Sequence, residues 1–168
     1  ANNDKLDIAV GRILVENTQR AKEMVDKVES YYMPETYGSW RNNFLLISDD
    51  IDKESDRIIQ STTEIIAEDV KAAKPFLNVQ KIHADSYVQE TSSGGARYSL
   101  VNKAIFDALE VGAIVVNYFG HGGEDGLAGE RIFDKINAQE LNNPTKLNCF
   151  VTVTCEYTKF DNPFRETA

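Results

Sequence analysis

The most informative stretch of the sequence reads Ala113-Ile114-Val115-Val116-Asn117-Tyr118-Phe119 and continues into Gly120-His121-Gly122-Gly123. Its first part is a continuous apolar run of strand length, which is typical of a central parallel strand with both faces covered. A second apolar run, residues 147–154, leads directly into Cys155. The sequence therefore predicts two strands that each end in a chemically reactive side chain.

Two further strands and three helices are predicted upstream of this stretch. Residues 44–47 and 76–83 have the pattern of short strands, and apolar residues recur at helical spacing within residues 21–32, 58–73 and 101–108. Gly112 follows the last helix where a C-cap belongs. The alternation predicts an α/β fold: an open parallel sheet with core strands in the order 2-1-3-4 and helices on both faces. We expect residues 1–40 to form a strand or extended arm at residues 6–14 and then a helix capped by Thr18. Residues 41–168 should form the βαβ core, with a loop at residues 92–95.

Composition limits the function classes that this chain can serve. The 168 residues are 42% hydrophobic with a net charge of −9, which suits one globular domain and disfavours nucleic acid as a partner. No stretch approaches the roughly 20 apolar residues that a membrane-spanning helix needs. Cys149 and Cys155 lie in one apolar segment, where a disulfide is geometrically poor, so two free thiols are expected. Cys149 lies inside the predicted strand and is expected in the core, and His83 is expected to be a surface or structural residue.

Reactive groups follow three of the predicted strands. Asp50 follows the strand at residues 44–47, His121 follows the strand at residues 113–119, and Cys155 follows the strand at residues 147–154. Open α/β sheets place their sites at the carboxyl ends of strands, where the winding order reverses. Parallel neighbours lie about 4.8 Å apart, so side chains at adjacent strand ends can meet. A cysteine becomes a nucleophile when a nearby histidine takes its proton. These positions predict a nucleophile at Cys155 and a general base or acid at His121.

The neighbours of these two residues suggest supporting roles. Gly122 and Gly123 would let a substrate backbone approach closely, and the N–H groups of Gly122 and Cys155 could form an oxyanion hole. Asp50 or Asp49 could orient the imidazole. The acidic residues between 49 and 56 leave open a calcium site, although a solvated acidic turn is the more common use of such a segment. No cofactor is required by this chemistry.

These blocks resemble a known group of enzymes. The segment Val116 to Gly123 and the segment Val151 to Cys155 are similar to the paired His-Gly and Ala-Cys blocks of clan CD cysteine peptidases, with Thr154 where alanine is common. Within that clan, several further segments resemble the gingipain family, and the likeness extends over nearly the whole chain. These segments are residues 7–12, residues 38–41, Asp49-Asp50 and Phe160-Asp161.

The resemblance implies a caspase-like fold and a cysteine endopeptidase with Cys155, His121 and, as the acidic third member, Asp50. The position that reads a basic side chain in gingipains falls near Asp56, which is therefore a candidate substrate-binding residue. Within the family, the chain is most similar to the C-terminal signal peptidases, or sortases, of type IX secretion in Bacteroidetes. This implies a place at the outer membrane surface of a Gram-negative bacterium. It also implies polypeptide substrates carrying C-terminal signal domains, a lipopolysaccharide amine as an acceptor, and secretion-system subunits as partners. Family members continue past the cysteine block, so we expect this chain to be incomplete at both ends.

Two other classes of function fit parts of the same pattern. A non-catalytic caspase-like module that binds secretion-system partners would use the same strands and helices. A receiver-like nucleotide-binding domain would share the sheet order and would bind Mg²⁺ at Asp49 and Asp50, but it would leave the Gly-His-Gly-Gly loop without a role. For the enzyme, water as the final acceptor gives a peptidase, whereas an amine gives a sortase.

Overall fold

The computed structural model describes residues 8–162 and residue 164, and a four-stranded parallel sheet forms its centre. This sheet contains β1 (Asn43–Ser48), β2 (Asn78–His83), β5 (Val115–Phe119) and β8 (Cys149–Val153) in the order β2-β1-β5-β8. All neighbouring strands are parallel. The predicted α/β fold and the predicted order of the four core strands are confirmed.

The remaining elements connect these strands. The helices are α1 (Thr18–Ser30), α2 (Arg57–Ala73), α3 (Ser99–Val111) and α4 (Lys135–Glu140). Two small antiparallel hairpins pair β3 (Glu90–Ser92) with β4 (Gly95–Arg97) and β6 (Gly122–Gly123) with β7 (Gly126–Leu127). Single 3₁₀ turns span Pro34–Thr36, Ser39–Asn42, Glu54–Asp56 and Ala84–Ser86.

Helices α2 and α3 pack on opposite faces of the sheet, which is possible because the side chains of a strand alternate between its two faces. Val101, Ile105 and Leu109 of α3 are fully or almost fully buried in one cluster with residues from β1 and β5. The cluster members from β1 and β5 are Leu45, Ile47, Val116 and Tyr118. The buried residues of α2 lie outside this cluster, as does Leu46, which points to the other face. Burial on both faces explains the continuous apolar run of β1, whereas alternate residues of β5 are only half-buried.

Gly112 ends α3 as its position predicted. It adopts φ of 98°, a conformation that side-chain-bearing residues rarely take, and a Cβ there would come within 3.0 Å of the Trp40 Cβ. The Gly112 carbonyl accepts a hydrogen bond of 2.8 Å from the side chain of Asn43. The end of α3 is thereby tied to the start of β1.

Helix α1 is attached differently from α2 and α3. Asn17, rather than the expected Thr18, caps it by accepting the Arg20 N–H at 2.9 Å. None of its residues is buried, although its apolar spacing resembles that of a core helix. Its C-terminal end is held by Arg41, whose guanidinium lies 4.0 Å from the ring centroid of Tyr31 and donates to the Tyr31 carbonyl at 2.5 Å. Helix α1 is therefore held at its C-terminal end by contacts with Arg41 rather than by a buried face.

Several other expectations differ from the structure. The segment around Gly94 and Gly95, expected to be a plain loop, joins β3 to β4 in a hairpin, and α4 carries no clear signal. Cys149, expected in the core, is exposed because β8 lies at the edge of the sheet. Both cysteines are free, as expected. The expected strand or arm at residues 6–14 has no regular structure over residues 8–14, and residues 6 and 7 lie outside the described part.

Candidate active site

The ends of β5 and β8 bring His121 and Cys155 into one region. Phe119 pairs with Val153, and the Gly120 N–H continues the ladder by donating to the Val153 carbonyl at 3.3 Å. His121 and Cys155 each lie two residues beyond this last pair, at matching positions after the two strands. A Cβ on Gly122 would overlap the Thr154 side chain and lie 3.3 Å from the Cys155 carbonyl oxygen. The two loops are therefore in direct contact, which only glycine at position 122 permits.

Both reactive side chains are accessible. Cys155 is exposed, and 59% of the His121 side chain is exposed. In the described part of the chain, no hydrogen bond joins the Cys155 thiol to the His121 imidazole. Catalytic hydrogen bonds are often long in structures without substrate and shorten in the complex. The arrangement therefore places the imidazole and the thiol on adjacent loops.

The acidic partner of the imidazole is Asp56. Its Oδ1 lies 3.4 Å from His121 Nε2, and its side chain is only 7% exposed. Asp56 ends the 3₁₀ turn that precedes α2, where its Oδ2 accepts the Lys53 N–H at 2.9 Å. Burial opposes ionisation, but hydrogen bonds from Lys53, Ser55 and His121 hold the pKa of the Asp56 carboxyl below its usual range. Asp56 therefore faces His121 as a carboxylate.

Asp50, the predicted third member of the site, has a different neighbour. Its Oδ2 accepts the hydroxyl of Tyr98 at 3.1 Å, and the residue is buried. The structure thus brings Asp56 to the imidazole and leaves Asp50 bonded to a tyrosine. Asp56 was a candidate substrate-binding residue in the sequence, where nothing indicated that the turn at residues 54–56 would aim it at His121.

A cluster of buried carboxylates lies behind the histidine loop. Asp49, Asp50 and Glu130 each offer an oxygen within 4.8 Å of the others. Burial, with the nearby Asp50 charge, raises the pKa of Asp49 to about 7, and burial also raises the pKa of Glu130. Glu130 was not foreseen, because it comes from a distant turn. Among the described residues, the other acids of the 49–56 segment do not join this cluster, and calcium in that segment stays a prediction.

The two N–H groups predicted to form an oxyanion hole have no competing partner in the described part of the chain. The Ala128 N–H donates to the His121 carbonyl at 2.9 Å, which makes Gly122 and Leu127 a non-hydrogen-bonded pair of the hairpin. The Gly122 N–H is therefore not used by this ladder. A Cβ added to Gly123 would have no neighbouring atom within 4 Å among the described residues, so the space beside Gly123 is open.

The chain turns sharply after Cys155 and returns to the histidine loop. Glu156 adopts φ of 54°, in the left-handed region, and the following Tyr157 is buried. The side chain of Asn162 donates to Glu124 at 2.9 Å, so the segment after Cys155 is bonded to the segment after His121. A cavity of about 490 Å³ is lined by both segments, including His121 and Glu156. This is room for part of a peptide.

A second triad-like arrangement lies at the ends of β1 and β2. Ser48 Oγ is 2.6 Å from His83 Nδ1, and His83 Nε2 is 2.8 Å from Glu64. The distances match those of a nucleophile, a base and an orienting acid. However, Ser48 has no exposed surface, so no substrate can reach its hydroxyl. His83 therefore ties α2 to the sheet, in line with its expected structural role.

Together, the open α/β sheet and the His-Gly loop beside a strand that leads into a cysteine define the class of caspase-like cysteine peptidases. The family model described as peptidase family C25 matches residues 1–168. The chain therefore belongs to peptidase family C25, the gingipain family of cysteine peptidases. A comparison with curated proteins finds no match. None of the described helices is both long enough and apolar enough to cross a membrane.

The buried Asp49 carboxyl makes stability depend on pH. Its folded pKa of about 7 exceeds its ordinary value of 3.8, so the folded chain binds this proton more tightly than the unfolded chain. The resulting stabilisation is complete below about pH 4 and is lost as the pH rises through about 7. Asp49→Asn cannot titrate. We expect the fall in the free energy of unfolding over this interval to be smaller in Asp49→Asn, as measured by urea unfolding at several pH values. Equal falls in the two proteins would contradict this assignment.

Proposed function

We propose that this chain is the catalytic part of a gingipain-like cysteine endopeptidase, with Cys155 as nucleophile and His121 as general base and acid. The observation that carries the proposal is the parallel pairing of β5 with β8, which sets a histidine loop and a cysteine loop in contact. Membership of the whole chain in family C25 supports the same chemistry.

The proposed reaction is acyl transfer through a thioester. His121 takes the thiol proton of Cys155, the sulfur attacks the substrate carbonyl carbon, and a C–S bond forms. The tetrahedral intermediate then collapses, the peptide C–N bond breaks, and His121 gives the proton to the leaving amine. Water or a second amine, deprotonated by His121, finally attacks the thioester and releases the thiol. The N–H groups of Gly122 and Cys155 would bind the oxyanion.

We assign the orienting carboxylate to Asp56 rather than to Asp50. Asp56 is the acid within 3.4 Å of the imidazole, and its own contacts with Lys53 and Ser55 fix its position. If Nε2 points at Asp56, the other ring nitrogen is left for the thiol. A carboxylate in this place holds the ring and stabilises the imidazolium that forms during the reaction.

We further propose that the substrates are secreted proteins with C-terminal signal domains. This rests on the likeness of the sequence to PorU, the signal peptidase of type IX secretion, and it implies an outer-membrane surface location with other secretion-system subunits as partners. The new C-terminus would pass to water or to a lipopolysaccharide amine. Both fates use the same thioester.

One observation favours a second candidate, a non-catalytic caspase-like binding module. The Cys155 thiol is exposed and has no hydrogen bond to His121 in the described part of the chain. A module that only binds its partners would need no such bond. Thiol reactivity distinguishes the candidates, because only the enzyme needs a thiolate near neutral pH.

The first prediction concerns alkylation of Cys155 by iodoacetamide, followed by peptide mass spectrometry between pH 5 and pH 9. We expect Cys155 to react well below pH 8, ahead of Cys149, because His121 takes its proton. His121→Ala should abolish the advantage. Cys149 is exposed and begins the strand that leads to Cys155, so it serves as an internal control. Equal reaction of both cysteines in the unmodified chain would favour the binding module.

Two matched variants test the acid assignment with the same readout. Asp56→Asn should reduce the advantage of Cys155, because the ring loses its carboxylate. Asp50→Asn, whose residue contacts Tyr98, should reduce it less. The reverse order would restore Asp50 as the third member.

The second prediction concerns the substrate. Incubation of the chain with a protein that carries a C-terminal signal domain should release that domain by one cut, whereas Cys155→Ala should release nothing and Cys149→Ala should cut normally. Added amine should appear on the new C-terminus if the acceptor is an amine. A reactive Cys155 without any cut would reject this substrate class and leave the dyad intact.

A further inference from the structure

We infer that the Asp49 carboxyl group and the Tyr118 hydroxyl form a clamp on the main chain of His121 and thereby position the general base. In the described part of the chain, neither residue has a hydrogen bond to the imidazole, so both are positioning residues. The inference rests on the proposed function, since it assigns these two groups to the same site.

The clamp forms hydrogen bonds to the peptide groups on both sides of the His121 Cα. The His121 N–H donates to Asp49 Oδ2 at 2.8 Å, while Asp49 Oδ1 accepts the Asp50 N–H at 3.1 Å. The Tyr118 hydroxyl donates to the His121 carbonyl at 2.6 Å, and the Ala128 N–H donates to the same oxygen at 2.9 Å. Both backbone dihedrals of His121 are therefore restrained by hydrogen bonds to neighbouring elements.

The clamp is buried although the histidine is not. Asp49 is 1% exposed and Tyr118 is 0% exposed, whereas 59% of the His121 side chain is exposed. Hydrogen bonds in a low-dielectric environment are stronger than those exposed to water. A Cβ on Gly120 would overlap both the Tyr118 hydroxyl and the Asp49 Cβ. Only glycine allows the loop to lie this close to the clamp.

This arrangement matters for chemistry because an exposed imidazole has few contacts of its own. Its ring is held at one point, by Asp56 at 3.4 Å. The direction in which the ring leaves the backbone is then set by the His121 dihedrals, which the clamp fixes. Displacement of a catalytic group by about 1 Å can cost roughly a hundredfold in rate.

Tyr98 provides a matched comparison. Like Tyr118 it is a buried tyrosine with a hydrogen-bonded hydroxyl, but its hydroxyl donates to Asp50 Oδ2 at 3.1 Å. It has no hydrogen bond to His121. Removal of either hydroxyl deletes one oxygen and leaves a phenyl ring, so general loosening of the fold should be similar in the two variants. The position of His121 should change only when the Tyr118 hydroxyl is removed.

The experiment measures iodoacetamide alkylation of Cys155 relative to Cys149 at pH 6 in the unmodified chain, Tyr118→Phe, Tyr98→Phe, Asp49→Ala, Asp49→Asn and His121→Ala. Urea unfolding is measured in parallel. We expect Tyr118→Phe and Asp49→Ala to lose about tenfold of the Cys155 advantage, the equivalent of one hydrogen bond to a positioned group. Asp49→Asn keeps one accepting oxygen and should retain more than Asp49→Ala. Tyr98→Phe should keep the advantage.

The outcomes separate this inference from the proposed function. If Cys155 has an advantage that His121→Ala abolishes, but Tyr118→Phe and Asp49→Ala keep it, the dyad stands and the clamp is overturned. Equal losses in Tyr118→Phe and Tyr98→Phe would also overturn the clamp, since they would indicate general loosening. If Cys155 has no advantage in the unmodified chain, the proposed function fails and the clamp fails with it. Should Asp49→Ala not fold, Tyr118→Phe decides the question alone.

Discussion

The parallel pairing of β5 with β8 determines where the reactive groups of this chain lie. Phe119 stands opposite Val153, and the Gly120 N–H extends the ladder by one more hydrogen bond. Because the register of parallel strands is fixed residue by residue, the His121 loop and the Cys155 loop leave the sheet at the same level. A one-residue shift in this pairing would reverse which side chains face the core and would separate the two loops.

The rest of the structure supports that edge of the sheet. Gly122 allows the two loops to touch, since a side chain there would overlap Thr154, and Gly120 allows the histidine loop to lie against Asp49 and Tyr118. Two buried acidic residues also interact with the histidine: Asp49 accepts the His121 N–H, and Asp56 lies 3.4 Å from the imidazole. Burial disfavours the ionised form of Asp49, as its raised pKa indicates, while local hydrogen bonds stabilise Asp56 as an anion. Two acids seven positions apart therefore have opposite electrostatic environments and distinct proposed uses.

Much of this architecture could be predicted from sequence, and the remainder failed for physical reasons. Strand β1 was found because burial on both faces leaves a continuous apolar signal. Strands β5 and β8 were found from apolar runs of the same kind, although some of their residues are half-buried or exposed. The exposure of Cys149 was missed, because whether a strand lies at an edge depends on its neighbours in space. The local sequence around Asp56 does not reveal that a 3₁₀ turn points its carboxylate at His121. Glu130 joins Asp49 and Asp50 only through tertiary packing, so no spacing in the sequence could have indicated it.

The central claim is that His121 and Cys155 act as a coupled pair, and NMR of the histidine rings tests it most directly. The chain contains only two histidines, so His83 serves as a reference in every spectrum. Alkylation of Cys155 by iodoacetamide adds a group beside the imidazole only if the two side chains are neighbours. The account predicts that the ring signals of His121 shift when Cys155 is alkylated, while the ring signals of His83 do not. Unchanged His121 signals would contradict the account.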